Sequence, residues 1–281
     1  MPTNSRYWAD LSTREFAARQ ASGELAHTIA VLPVAATEQH GPHLPLSVDT
    51  VLVDGVIAAA LAHLQADLKV LFLPTQAVGL SPEHARFVGT LTLKNETILR
   101  LWTDIGESVA AAGIKKLLLF NAHGGNVAAM DLVARELRAR LDLLVYSASW
   151  FNLPLPDAQG QDVNALFSPD EHRFGIHAGD IETSMMLALD PAHVDMRQAQ
   201  NFASASQARA SSFELLGNGK SAKLGWQMQD YNPAGAVGNA AAASADKGRA
   251  LVDAAGRALA RLLAEMSRLP ADTLRARPQL P

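Results

Sequence analysis

Lys116-Leu117-Leu118-Leu119-Phe120 leads into Asn121-Ala122-His123-Gly124-Gly125-Asn126, and from Asn126 to Leu141 the apolar residues Met130, Val133, Leu137 and Leu141 recur every three or four positions. The first run is short and apolar with no polar alternation, the pattern of a strand buried on both faces. The spacing that follows is that of an amphipathic helix, with Arg135, Arg138 and Arg140 turned to other faces. A second apolar run, Leu143–Ser147, comes next. Strand, glycine turn, helix and strand make a βαβ unit, whose strands run parallel because the helix carries the chain back.

The same signature extends in the N-terminal direction. Ala30–Ala35 and Val70–Leu73 are further apolar runs, and Asn95–Ala112 repeats the helical spacing through Ile98, Leu101 and Ile105. The chain therefore reads as α/β, with a mainly parallel sheet covered on both faces. Phe151 to Gly179 is rich in Pro, Asp and Gly and reads as a long loop, and Ser211 to Gly238 as a second irregular segment. The Ala-rich stretch Ala240–Arg268 is expected to be one helix, with Asp246, Lys247, Arg249, Asp253, Arg257 and Arg261 on its polar face. Leu269–Pro281 holds three prolines and reads as an extended tail. There is no internal repeat, and 281 residues fit one large domain, 1–281.

Composition removes several function classes. Apolar residues make up 48% of the chain and charged residues 19%, enough for a sizeable core and incompatible with general disorder. The net charge of −4 gives no global attraction to nucleic acid or anionic lipid, so neither is an expected partner. The absence of cysteine removes disulfides, thiolate metal sites and a cysteine nucleophile together. The first residues lack the apolar core of a signal peptide, and no stretch approaches a membrane span. A cytoplasmic location is the expectation.

The chemistry-bearing residues gather where strands end, which is where open parallel sheets build their sites. After the run Ala30–Ala35 come Glu38 and His40, two apart, with Asp49 nine residues beyond His40 at the start of a helix. Asp49 alone would read as a helix N-cap. Glu, His and Asp together, framed by Gly41, Pro42 and Pro45, are the oxygen and nitrogen ligands of a divalent metal. His123, in the glycine turn after the run Lys116–Phe120, reads as another ligand. A phosphate cradle there would need a basic residue in the turn and finds none. His177 and Glu182 are five apart around Gly179, and a Glu in front of the apolar run Met185–Leu187 wants a buried partner. Gly79–Leu93, which contains Glu83 and His84, is a polar loop. No G-x-S-x-G elbow occurs in it, which disfavours a serine hydrolase. His27, His63 and His193 stand in ordinary helical or linker contexts.

Together these motifs resemble the creatininase (creatinine amidohydrolase) family, from about residue 28 to about residue 250. The resemblance is carried by Glu38-Gln39-His40-Gly41-Pro42-His43-Leu44-Pro45-Leu46 with Asp49, and by Glu83-His84 with Gly89-Thr90-Leu91-Thr92-Leu93. It continues in Asn121-Ala122-His123-Gly124-Gly125-Asn126 and in His177-Ala178-Gly179 with Glu182-Thr183-Ser184, with a weaker echo in Gly235-Ala236-Val237-Gly238 and Lys247-Gly248. The resemblance implies a three-layer α/β/α fold, a two-metal centre, hydrolysis of a non-peptide C–N bond and a homo-oligomer, often a hexamer. It also departs from creatininase proper at one point. That enzyme looks to carry a metal-binding carboxylate where this chain has Gly125, and Glu182 is expected to serve in its place. The departure points away from creatinine, toward another cyclic amide, a formamide or a peptide-like substrate.

On this resemblance, Asp49 bridges two divalent ions, with Glu38 and His123 on one and His40 and Glu182 on the other. The ions are expected to be zinc or manganese, with iron a further option. His177 is expected to be the general acid. Glu83, His84, Gly124, Gly125, Asn126 and Trp150 are read as substrate-contacting positions, and the Phe151–Ile176 loop, with His172 and Phe174, as a cover over the substrate. The competing reading is a non-catalytic metal- or ligand-binding subunit that keeps the fold. Retention of all five candidate ligands together with His177 weighs against it.

Overall fold

The computed structural model describes residues 5–275. Four strands form one sheet: β1 (Ile29–Val34), β2 (Val70–Phe72), β3 (Lys116–Asn121) and β4 (Leu144–Ser149), in the order β2-β1-β3-β4 with every pairing parallel. The connections are helical: α1 (Thr13–Ala21) precedes the sheet, α2 (Val48–Leu61) and α3 (Asn95–Ala111) follow β1 and β2, and α4 (Val127–Arg140) follows β3. Beyond β4 come α5 (Pro169–Phe174), α6 (Asp180–Leu189), α7 (Ala205–Ser212) and α8 (Ala245–Arg268). A small antiparallel pair, β5 (Asn201–Phe202) with β6 (Gly238–Asn239), lies among them.

Strands β1, β2 and β3 lack polar alternation because both sheet faces are covered there, whereas the edge strand β4 exposes Tyr146 and Ser147. Ile29 and Val31 of β1 and Leu118 and Phe120 of β3 pack with α2, α6 and α8 in one core cluster. Ala30, Leu32, Leu117 and Leu119 point the other way into a second cluster with Ile98 and Trp102 of α3 and Met130, Val133 and Leu137 of α4. Each fully buried aliphatic of this kind contributes about 1.5–3 kcal/mol relative to its exposed state. Helices on both faces of a parallel sheet give the three layers expected from the sequence. Among the described residues, no helix is long and apolar enough to cross a membrane.

Three local readings change. The segment from Phe151 to Gly179 is not one loop, because α5 forms inside it. Ser168 accepts the Glu171 N–H and Pro169 occupies the first helical turn, so the helix is short but well started. The Ala-rich helix begins at Ala245 rather than Ala240: the Ser244 hydroxyl caps it, and Ala240–Ala242 form a separate 3-10 turn. The tail turns once at Ala271–Thr273 instead of staying extended, and its last residues, 276–281, lie outside the described residues.

Packing of α8 on α6 fixes the C-terminal layer to the sheet. A Cβ on Gly248 would stand 1.8 Å from the Ser184 carbonyl oxygen, so the two helix backbones touch where glycine sits. Beside this contact the Lys247 ammonium lies 2.5 Å from Asp180 and over the Phe167 ring. Gly248→Ala must push α8 away from α6 and stretch that ion pair. A loss of about 1–3 kcal/mol is expected, as for other overpacked cores. Urea or thermal unfolding of the variant measures it, and an unchanged midpoint would show that the helices separate without cost.

Candidate metal centre

Val34, Asn121 and Ser149 end β1, β3 and β4 in register, so the loops after all three strands open on one edge of the sheet. Glu38 and His40 come from the first loop, His123 from the second, and Trp150 directly follows Ser149. Asp49 and Glu182 enter from the first turns of α2 and α6, whose N-terminal dipoles favour negative charge there. Every predicted ligand therefore arrives at one place.

The arrangement has two halves. The His123 Nδ1 lies 3.2 Å from Glu38 Oε1 and 3.6 Å from Asp49 Oδ2. The His40 Nε2 lies 3.8 Å from Asp49 Oδ1 and 3.9 Å from Glu182 Oε2. The two oxygens of Asp49 thus face different histidines. Ligand atoms around one small divalent cation at about 2.0–2.2 Å stand at comparable mutual separations.

Backbone carbonyls set the tautomers. The His40 Nδ1–H donates to the Glu38 carbonyl at 3.0 Å, and the His123 Nε2–H donates to the Leu80 carbonyl at 3.0 Å. In the neutral ring each then keeps its lone pair on the nitrogen that faces the carboxylates, as metal-binding histidines require. His177 does the same, donating from Nε2 to the Gln39 carbonyl at 2.7 Å and turning Nδ1 to within 3.7 Å of Glu38.

His84 is opposite in sense. The Gln39 side-chain amide donates to the Gly235 carbonyl and to the His84 Nδ1, both at 2.8 Å, which leaves the His84 proton on Nε2, 3.4 Å from Glu38 Oε1. His84 therefore offers the centre an N–H, not a lone pair. Its ring is tilted against that of His177, with centroids 4.3 Å apart, and His40 also packs on His177 at 4.1 Å.

The charge state shows what is missing from the protein alone. Glu38 Oε1 and Oε2, His40 Nε2 and Asp49 Oδ2 are buried without a hydrogen-bond partner. Burial and the neighbouring Glu38 hold the Asp49 carboxyl well above the usual range, and burial also raises Glu182 and Glu83. Burial opposes ionisation of Glu38 too, but His123, His84 and His177 outweigh it and hold its carboxyl low. His123 is pushed up to about 10: burial would lower it, yet the neighbouring carboxylates of Glu38, Asp49 and Glu83 prevail. Burial and His177 lower His84 to about 3. Orphaned nitrogen and oxygen atoms facing one another, among carboxyls short of positive charge, fit divalent cations.

A cavity of about 480 Å³ opens onto this centre, lined by Glu38, Asp49, Glu83, His84, His123 and Glu182 on the metal side. Gly124, Gly125 and Trp150 line it as read from the sequence, and Phe151, Asn152, Ile176 and Trp226 form more of its wall. Of the cover residues, His172 lines it, whereas Phe174 faces a smaller cavity beyond Glu171. Asn126, also read as a substrate contact, does not line this cavity. Fully buried, it donates to the Ala35 carbonyl and accepts from the Leu80 N–H, stitching the loop after β1 to the loop that carries Glu83. Gln39, against His84, and Trp226, in the cavity wall, join the site without any sign of it in their sequence spacing. An amide side chain and a lone Trp in an irregular segment carry no spacing signal, and only the fold brings them here.

Ala178 is the one non-glycine residue with positive φ (55°) among the described residues, and it stands between His177 and Gly179. Its N–H donates to Glu182 Oε2 at 2.5 Å. A conformation that costs about 1–3 kcal/mol is thus kept where it orients a candidate ligand.

Comparison with known proteins agrees with this geometry. The family model described as Creatininase: Creatinine amidohydrolase matches residues 9–263. A mycofactocin precursor peptide peptidase of Mycobacterium tuberculosis is 38% identical over 170 residues, 58% of this chain and 59% of the relative, so the chain spans well under two thirds of that protein's length. The creatinine amidohydrolase of Pseudomonas putida is 31% identical over 206 residues, 69% of this chain and 75% of its own. The crystal structure of a creatininase superposes with a TM-score of 0.74 at 26% identity, covering 95% of this chain and all of the other. A manganese form superposes at 0.73, as does a variant of the Zn–Zn type. A family match across most of the chain, on a fold and a cluster of ligand-competent side chains that agree with it, leaves one conclusion: this chain belongs to the creatininase (creatinine amidohydrolase) family.

Proposed function

We propose that this protein is a metal-dependent amidohydrolase that cleaves the C–N bond of a small amide, a cyclic amide or a formamide, at a centre of two divalent ions. The observation that carries the reading is the orientation of Asp49, one oxygen toward the His40–Glu182 pair and the other toward the His123–Glu38 pair. Asp49 would be the shared ligand, and the two pairs would each hold one ion, zinc or manganese. Such a pair supplies a hydroxide-like water at neutral pH and polarises the substrate carbonyl.

The protein's own groups do the rest. Glu38, with the His84 N–H beside it, is kept ionised and in place. The aromatic wall of Trp150, Phe151 and Trp226 excludes water and orients a flat amide. His177 holds a proton at Nδ1 when charged, since its Nε2–H is committed to Gln39, and that proton goes to the departing nitrogen.

Substrate choice follows from Gly125. A Cβ there would meet the Leu80 carbonyl oxygen at 2.3 Å, His123 Nε2 at 2.4 Å and Glu83 Oε1 at 2.5 Å. The Leu80 backbone, His123 and Glu83 thus leave no room for a side chain at position 125. Creatinine is therefore expected to be a poor substrate, turned over far more slowly than the best member of a panel of lactams, formamides and short peptides. Peptides belong in that panel because of the mycobacterial relatives. The panel, run with metal analysis of the purified protein, tests the proposal. Two bound ions with no turnover of any amide would favour a non-catalytic binding subunit, and efficient creatinine hydrolysis would overturn the substrate reading.

A further inference from the structure

Helix α6 delivers Glu182, yet its N-cap residue is Gly179, which has no side chain to satisfy the free N–H groups of the first turn. The acceptor comes from elsewhere. Glu171, on α5 and only 4% exposed, reaches across so that its Oε1 accepts the Ile181 N–H at 3.4 Å. Its Oε2 accepts the Asn239 N–H of β6 at 2.8 Å. The residue just before β6, Val237, donates to the carbonyl of His177 at 2.9 Å. One carboxylate thus ties together α5, the start of α6 and the strand that holds His177.

Three glycines make room for it. A Cβ on Gly179 would stand 2.1 Å from Glu171 Oε1, one on Gly175 2.6 Å from both carboxylate oxygens, and one on Gly238 2.8 Å from both. Two of these glycines flank the link between α5 and α6 and the third comes from β6, and they crowd around the same two oxygen atoms. Glu171 also forms part of the wall between the 480 Å³ cavity over the metal centre and a second cavity of about 210 Å³.

We infer that Glu171 is a positioning residue of this centre: a buried carboxylate that caps α6 at a distance and so fixes where Glu182 and His177 stand. The inference rests on the two-ion reading above. A carboxylate at a helix N-terminus is favoured by the dipole as well as by the hydrogen bonds, and both of its oxygens are needed to hold two segments at once. Glutamine keeps the size but offers a single acceptor oxygen, and its amide N–H₂ would oppose one backbone N–H. Alanine empties the glycine cradle.

The experiment compares Glu171→Gln and Glu171→Ala with the parent chain. It measures zinc and manganese affinity by equilibrium dialysis, the visible spectrum of the cobalt(II)-loaded protein, and the thermal midpoint. The ion on the His40–Glu182 side is expected to lose about 10–100-fold in affinity, the range for outer partners of metal ligands. The cobalt(II) spectrum of Glu171→Gln is expected to change while the ion on the His123–Glu38 side stays bound. Glu171→Ala should show the larger loss. If it does not fold, the isosteric Glu171→Gln decides alone. Parental affinities and an unchanged cobalt(II) spectrum in Glu171→Gln would overturn the inference, even with a lowered thermal midpoint. A parent chain that binds no divalent ion would instead overturn the metal reading on which it rests.

Discussion

Asp49→Ala is expected to strip the protein of both ions and to abolish hydrolysis. The side chain is buried, and its two oxygens face His40 Nε2 at 3.8 Å and His123 Nδ1 at 3.6 Å, with no hydrogen-bond partner at Oδ2. A shared carboxylate attracts two cations and also screens their mutual repulsion, so its removal weakens both sites together. Glu182→Gln is the control. Glu182 faces only the His40 side, at 3.9 Å, so this variant should keep about one equivalent of metal. Metal analysis after dialysis separates the cases. An Asp49→Ala protein that retains one full equivalent would show Asp49 to be a terminal ligand.

His177→Ala is expected to lower kcat by about 10²–10⁴-fold, the usual contribution of a general acid, while metal content stays near that of the parent. The ring packs against His40 and His84, with centroids 4.1 and 4.3 Å away, and its Nε2–H is bound to the Gln39 carbonyl. Only Nδ1 remains to meet a substrate, 3.7 Å from Glu38. The competing role is coordination, because Glu38, His40 and His177 also place ligand atoms close together. The two roles differ in what is lost first. A ligand variant loses metal. An acid variant loses rate, and loses less of it when the leaving amine is a better leaving group that needs no proton. Measurement of bound metal, then of kcat on amides with poor and good leaving groups, decides between them. Unchanged metal and unchanged rates would assign His177 a structural task.

The sequence alone determined the layers of this protein and which strand ends carry its candidate ligands. Short apolar runs without polar alternation specify strands buried on both sides, and helical spacing between them specifies parallel crossovers, because each depends on local periodicity and on covering a face with oil-like side chains. The candidate ligands were legible because a parallel sheet puts its site at the carboxyl ends of its strands, so residues after the runs ending at Ala35 and Phe120 had to converge. What tertiary structure decided is whatever depends on partners distant along the chain. The Ser168-Pro169 start of α5 was a readable helix signal, yet no pattern says that Glu171 would cap α6 or that Gly175, Gly179 and Gly238 would enclose it. Asn126 and Gln39 carry the same side-chain chemistry in the sequence. Packing sends one inward to brace two loops and sets the other to fix the His84 tautomer. A polar side chain has no periodic signature. Its role is set by which donors and acceptors surround it, and only the folded chain supplies them.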